Sequence, residues 1–388
     1  MFRQTIFGLG LMLCGAAPAL ADLNLPITFL QQIPPRPPVL SNLDPIPDNL
    51  GIAGAQLGEL ENNTTGQFLN QSYTLEVVQV GPDDDLAEAA RAALARSPYL
   101  VLNVPATQAQ MIADLPEAAE ALLFNTGARD VSLRDAGCRA NLLHTIPSDA
   151  MRADALMQFA LFKRWDKLAM VAGTHPQDVA FATALKNSAT KYGLGVIAEK
   201  TWTFDADMRR SAAQEVPLFT QEFGDFDMLL IADELDDFGR YLAYNTWTPR
   251  PVAGSDGLRP VAWDRVVEQW GAAQLQSRFH DLAGRDMTPH DYAAWAAMRV
   301  LGEAVTRTNA DDVATLKAYI LSDKFELAGF KGRALNFRHW NGQLRQPIPL
   351  VTDRALVIQA PLPGFLHQFN EMDSLGLDQP ESECEAFE

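Results

Sequence analysis

Cysteine is scarce: there are three in 388 residues, at positions 14, 138 and 384. Three cannot build a disulfide scaffold, and without a Cys-x-x-Cys pair a thioredoxin-like redox centre is disfavoured. Catalytic spacings are missing too. The six histidines, at 144, 175, 280, 290, 339 and 367, form no His-Glu-x-x-His pair or other zinc spacing. No Gly-x-Ser-x-Gly elbow and no Gly-x-x-x-x-Gly-Lys phosphate loop occurs. Positive charge is in short supply: 31 Lys and Arg face 49 Asp and Glu, a net charge of −18. That balance argues against nucleic acid and anionic membrane surfaces as partners. Beyond the first 21 residues there is no long apolar run, so no membrane-spanning helix is expected there.

What is present begins with Met1-Phe2-Arg3, an apolar run from Ile6 to Leu13, and Ala19-Leu20-Ala21 before Asp22. A positive start, a short apolar middle and a small-x-small end predict a signal peptide over 1–21, cleaved after Ala21. The expected compartment is the periplasm. Cleavage removes Arg3 and no acid, adding one unit of net negative charge. About 367 residues remain, more than one core usually organises, which predicts two lobes. Cys138 and Cys384 survive cleavage. In an oxidising compartment an isolated pair reads as a disulfide, with two free thiols as the alternative.

Hydrophobic periodicity predicts an α/β chain. Strands are expected at Ile27–Leu30, Tyr73–Val78, Tyr99–Val104 and Ala121–Phe124, separated by helices over 51–70, 86–96 and 108–118. A proline-rich loop, Pro34 to Pro38, follows the first strand. The alternation then restarts, with helices over 150–163, 176–192 and 209–223 and strands at Leu168–Ala172, Gly195–Glu199 and Asp227–Ala232. Such alternation makes parallel sheets with right-handed crossovers. From Trp263 the pattern changes to long helices over 292–308 and 311–321, then strands and turns over 335–358. The tail from Pro361 carries little periodicity and is expected to wrap back on the body.

In open α/β sheets ligands bind beyond the carboxyl ends of the strands. That rule selects Thr107 after one strand and Asn125-Thr126-Gly127 after the next, where short polar side chains sit beside free N–H groups. The alternative is that these residues merely cap helices. Asp233 and Glu234 open the densest acidic cluster, read either as a helix start or as ligand-facing. Asp256 sits in the turn Gly254–Gly257. Trp247 and Trp263 flank that turn, and one of them is a candidate to line a cleft.

Several longer segments resemble a known family. They are 125–130 (Asn-Thr-Gly-Ala-Arg-Asp), 138–147, 248–254, 269–276, 326–332, 342–347 and 364–368. In these the chain resembles type I periplasmic solute-binding proteins of the branched-chain amino-acid class. Within that class it is most similar to the ABC-transporter binding proteins associated with PQQ-dependent alcohol dehydrogenase systems. The resemblance implies two Rossmann-like lobes joined by a three-crossing hinge. Lobe one would be 22–147 with 254–330, and lobe two 148–253 with 331–388. It further implies a non-catalytic monomer without cofactor that captures a small ligand and delivers it to an inner-membrane ABC permease. In amino-acid-binding relatives, hydroxyl residues matching Thr107 and Thr126 hold the ligand carboxylate. Here Pro105-Ala106-Thr107 replaces the usual serine-rich turn. The implied ligands are an alcohol-derived metabolite, PQQ, or a lanthanide or calcium ion or its chelate. An accessory protein of a quinoprotein dehydrogenase, without transport, is the alternative.

Overall fold

The computed structural model describes residues 22–34, 46–203 and 211–387. The expected leader, most of the proline loop and the start of the helix expected from Arg209 lie outside the described residues.

Strands β1 (Leu23–Gln32), β2 (Gln71–Val80), β3 (Tyr99–Asn103), β4 (Leu122–Asn125) and β5 (Leu142–His144) form one parallel sheet, ordered β2-β1-β3-β4-β5. Helices α1 (Ile52–Gly66), α2 (Leu86–Leu94) and α3 (Ala106–Ala113) make the crossovers. The sequence accounts for each locally. Asp85 caps α2 by accepting the Glu88 N–H, and β3 is an unbroken apolar run because both faces of its sheet are covered.

A second parallel sheet, ordered β7-β6-β8-β9, contains β6 (Lys167–Ala172), β7 (Gly195–Thr201), β8 (Met228–Ala232) and β9 (Val252–Gly254). Helices α4 (Asp149–Lys163), α5 (Pro176–Lys191), α6 (Ala212–Thr220) and α7 (Gly239–Leu242) belong to it. Ser148 caps α4 through the Met151 N–H.

The chain then runs through β10 (Arg259–Pro260), α8 (Ala272–Ala283), α9 (Pro289–Thr308) and α10 (Val313–Ile320). Short strands β11 (Leu327–Ala328), β12 (Ala334–Phe337), β13 (Leu344–Arg345), β14 (Ile348–Thr352) and β15 (Ala355–Ala360) finish it, in two small antiparallel sheets. Thr288 and Asp291 form a capping box at the start of α9, with Pro289 in the first turn.

Buried apolar side chains switch repeatedly between two cores along the chain. Residues up to Leu143 pack around the first sheet, and Met151 to Leu258 around the second. Ala262 to Leu344 return to the first core; beyond them Ile348, Leu350, Ala360 and Leu362 lie in the second and Val351 in the first. Leu335, Phe337 and Leu344 therefore sit with the first core, although the sequence reading assigns 331–388 to the second lobe. The Cys138–Cys384 disulfide is formed, with the two Cα atoms 5.7 Å apart. Among the described residues no helix is long and apolar enough to cross a membrane.

Candidate functional site

Loops leaving the carboxyl ends of both sheets meet at one buried cluster of charges. Arg129 comes from the loop after β4, Asp149 and Arg152 from the first turn of α4, and Glu234 from the loop after β8. Arg152 grips Glu234 with two parallel bonds, Nη1 to Oε2 at 2.9 Å and Nη2 to Oε1 at 2.9 Å. The same Nη1 donates to Asp149 Oδ1 at 2.7 Å, and Nε donates to the Pro260 carbonyl at 3.2 Å. Ser255 Oγ, after β9, donates to Glu234 Oε1 at 2.8 Å. The Glu234 backbone N–H donates to Asp178 Oδ1 at 2.7 Å. Arg129 completes the set from the other sheet, donating Nη1 to Glu234 Oε2 at 2.5 Å. Two guanidinium groups thus balance two carboxylates, as burial demands, because an unpaired charge here would be expensive.

The environment shifts each group in a traceable direction. Burial pushes the Glu234 carboxyl up, but Arg152 and Arg129 outweigh it and hold the group below its ordinary range. Asp149 moves up because burial exceeds the help from Arg152. Burial lowers Arg152, and the carboxylates of Glu234 and Asp149 more than restore it. His290, half-buried in the first turn of α9, is pushed down to about 4 by burial and then by Arg129. It is neutral at pH 7.

The residues selected from sequence divide into three groups. Asp233, Glu234 and the Ser255–Asp256 turn come together: the Asp233 N–H donates to Ser255 Oγ, and Glu234 accepts from the same hydroxyl. Asp233 itself is a cap. Its carboxylate accepts the N–H groups of Asp237, Phe238 and Gly239 ahead of α7, while burial raises it to about 6. Asp256 is half-buried and accepts from the Gly257 N–H.

Asn125, Thr126 and Gly127 do sit at the carboxyl end of β4, but their polar groups are spent internally. Asn125 Oδ1 accepts the Gly127 and Ala128 N–H groups, and its amide donates to the Ala128 carbonyl. Thr126 Oγ1 donates to the Leu102 carbonyl. Thr107 is exposed in the first turn of α3.

The tryptophans stand apart from the charge cluster. Trp263 is 2% exposed, stacked on Tyr292 with ring centres 4.8 Å apart, and its Nε1 donates to Gln276. It is a core residue rather than the wall of a cleft, because α8 and α9 cover it. Trp247 is 60% exposed after α7, its backbone N–H bonded to Thr220 in α6.

Sequence reasoning did not single out Arg129, Asp149, Arg152, Asp178, Ser255 or His290. The one local signal was Asp149-x-x-Arg152, a helical i, i+3 pair in a first turn. Glu234 lies 105 residues from Arg129 in sequence, beyond the reach of any local pattern.

With this geometry in place, known structures provide a comparison. A periplasmic ligand-binding protein of a branched-chain amino acid ABC transporter from Burkholderia xenovorans superposes with a TM-score of 0.71. It is 15% identical over 94% of this chain and 100% of its own. A closed leucine-, isoleucine-, valine-, threonine- and alanine-binding protein from Brucella ovis gives 0.67, at 13% identity over 84% and 88% of the two chains. A branched-chain amino acid binding protein from Streptococcus pneumoniae, in complex with isoleucine, gives 0.62, at 13% identity over 87% and 98%. The fold is that of a type I periplasmic binding protein. No family model and no curated protein matches the chain. The Arg129–Glu234 contact joins the loop after β4 of the first sheet to the loop after β8 of the second. Among the described residues no group of three His, Cys, Asp or Glu side chains is disposed to hold a metal ion.

Proposed function

We propose that this chain is a periplasmic solute-binding protein that closes its two lobes over a small ligand and presents it to an inner-membrane ABC permease. The observation that carries the reading is the Arg129–Glu234 contact between the carboxyl-end loops of two separate parallel sheets. Loops so placed come together or part as the lobes rotate, so a ligand touching both shifts the population toward the closed form. We propose 22–147 with 254–330 and 148–253 with 331–388 as the two lobes, except that Leu335, Phe337 and Leu344 pack with the first, with export to the periplasm through the leader at 1–21. The link to quinoprotein alcohol oxidation, with an alcohol-derived metabolite, PQQ or a metal chelate as ligand, rests on the sequence resemblance alone.

A second reading has its own support. Arg129, Arg152, Asp149 and Glu234 neutralise one another at the seam, as expected of a chain that keeps its lobes together and serves a quinoprotein dehydrogenase without transport. One experiment separates the two. Thermal melting of the mature, metal-stripped protein is followed against lanthanum, calcium, PQQ, short alcohols and acids, and branched-chain amino acids. A ligand at a hundred times its Kd adds about 2.7 kcal/mol of stability, a shift of several degrees that grows with concentration. Capture predicts such a saturable shift with one class. Silence across the panel, together with a stable complex with a purified quinoprotein dehydrogenase, would replace it with the accessory role.

A further inference from the structure

We infer that the groove between α4, α5 and the tail is a second ligand site, one that takes a small aliphatic amine in its ammonium form. The inference does not depend on the capture reading, because the groove lies apart from the strand-end loops which that reading uses.

The groove holds about 460 Å³, inside the range of roughly 300–1,000 Å³ usual for small-molecule sites. Its walls are Asp130–Ser132 after β4, one side of α4 and of α5, and the tail from Gly376 to Glu381. It follows α5 from Ala180 to Lys191. Because α5 runs back from the end of β6 to the start of β7, the groove leads away from the carboxyl ends of the second sheet. None of Thr107, Asn125, Thr126, Asp233 or Glu234 lines it.

One buried carboxylate in this groove has an oxygen to spare. The Asp149 side chain is 9% exposed and lines the groove at the start of α4. Its Oδ1 accepts from Arg152, while Oδ2 accepts no hydrogen bond among the described residues. Burial raises this carboxyl, so its present partners leave part of the charge uncompensated. A buried acceptor without a donor is costly, and a ligand N–H directed at it removes that cost.

The surrounding charge selects a cation. Arg129 and Arg152 already balance Asp149 and Glu234, which leaves Asp130, Asp154 and Glu381 against Lys191 along the groove. The excess is two negative charges. Lys191 spends its three N–H donors on Asp154, the Gly376 carbonyl and Glu381, so it has none for an anion. Asp154 is filled as well, by Ser188, Lys191 and the Gly376 N–H. The half-buried Asp130 carboxylate, by contrast, makes no hydrogen bond or ion pair among the described residues. The Asp149 N–H is bonded to the Arg129 carbonyl, which sets the Asp130 backbone beside the start of α4. An ammonium group brings three donors to this end of the groove, each able to make a charge-assisted bond. A metal ion is less suited, since among the described residues no three His, Cys, Asp or Glu side chains converge to hold one. The rest of the wall includes Val131, Ala150, Ala180, Ala184 and Leu377, small apolar surfaces that fit an alkyl chain.

The test is titration calorimetry on the full mature protein at low ionic strength. Propylamine through hexylamine and the corresponding diamines are each compared with the alcohol and the carboxylate of the same chain, and with calcium and lanthanum. At least one amine is expected to bind saturably and about ten-fold or more tightly than its alcohol and its acid. Its affinity is expected to fall as salt is added. Two variants locate the site. Asp130→Asn removes a charge that no described residue pairs with, and Ala180→Leu fills a half-buried part of the wall. Both are expected to melt like the parent and to lose about ten-fold in amine affinity. Any one of four results would overturn the inference. They are an alcohol or acid that matches the amine, a metal ion preferred to every amine, amine affinity unchanged in either folded variant, and no saturable binding by any amine.

Discussion

His290 shows how one residue ties this seam to pH. Its imidazole is half-buried at the start of α9, lowered to about 4 by burial and Arg129, against the pull of Asp291 and Glu234. The unfolded chain holds a histidine near 6.5, so between pH 6.5 and 4 the unfolded state binds the extra proton. Stability from this site is therefore full above about pH 6.5 and lost as pH falls toward 4, by at most about 3 kcal/mol. Glu234 acts in the same direction at lower pH, since its folded carboxyl is held below its unfolded value. Asp233 acts oppositely: raised to about 6, it costs stability as pH climbs from about 4. Because these slopes overlap, the informative measurement is a difference. In urea melts from pH 7 to 4, His290→Gln is expected to lose less stability than the parent. An equal loss in the two proteins would mean that His290 titrates normally.

At the scale of elements, α1 and α9 pack more closely than any side chain would allow. A Cβ on Gly54 would lie 1.9 Å from the Asp291 carbonyl oxygen, and one on Gly58 would lie 2.5 Å from Met298 Cβ. The closeness lets Asp291 accept the Gly51 N–H and lets Asn62 donate to the Met298 carbonyl. Alanine is the better helix former by about 1 kcal/mol, but overpacking of this kind costs about 1–3 kcal/mol and more where backbone is struck. Gly54→Ala is therefore expected to lower the urea midpoint; a raised midpoint would show that α9 moves away freely.

One buried arginine anchors the start of the tail. Arg338 donates to Asp373 and to the carbonyls of Met372, Leu375 and Leu377. Arg338→Ala leaves Asp373 buried with Arg345 as its remaining cation, a change expected to cost about 3–5 kcal/mol. Chemical denaturation of the variant gives that number directly, and a loss below 1 kcal/mol would mean that the tail repacks.

For the whole molecule, the tail bridges the two cores. Ser374 and Gly376 bond to Gln158 on α4, Lys191 at the end of α5 and Tyr192 just after it. Ser382 and Glu383 reach Arg134 and Asp135, and Cys384 is joined to Cys138, all in the loops of the first sheet. Closing a loop of about 245 residues has an entropic ceiling of roughly 5 kcal/mol. Cys384→Ser is expected to lower the melting temperature and, in small-angle scattering of the ligand-free protein, to enlarge the radius of gyration as the lobes part further. A smaller melting temperature with an unchanged radius would assign the bridge to stability alone.

Much of this architecture was legible in the sequence because its causes are local. The run Tyr99–Val104 announced a strand, and the two rounds of alternation a pair of parallel sheets. Periodicity, caps and turn residues act within a few positions, so one stretch of chain is enough to read them. Two pieces were missed: β5, which has three residues, and the twelve-residue helix α8, which begins inside the Gln269–Gln276 segment. What only the tertiary structure decided is which distant charges meet and which polar groups remain free. Asn125 and Thr126 looked available in the sequence and proved to be spent on their own loop. Arg129 was only one member of the 125–130 segment in the sequence, and the fold brings Glu234 beside it and Arg152 onto the same carboxylate. Burial and pairing depend on neighbours a hundred residues away, and the crossings of the chain between the cores put those neighbours in place.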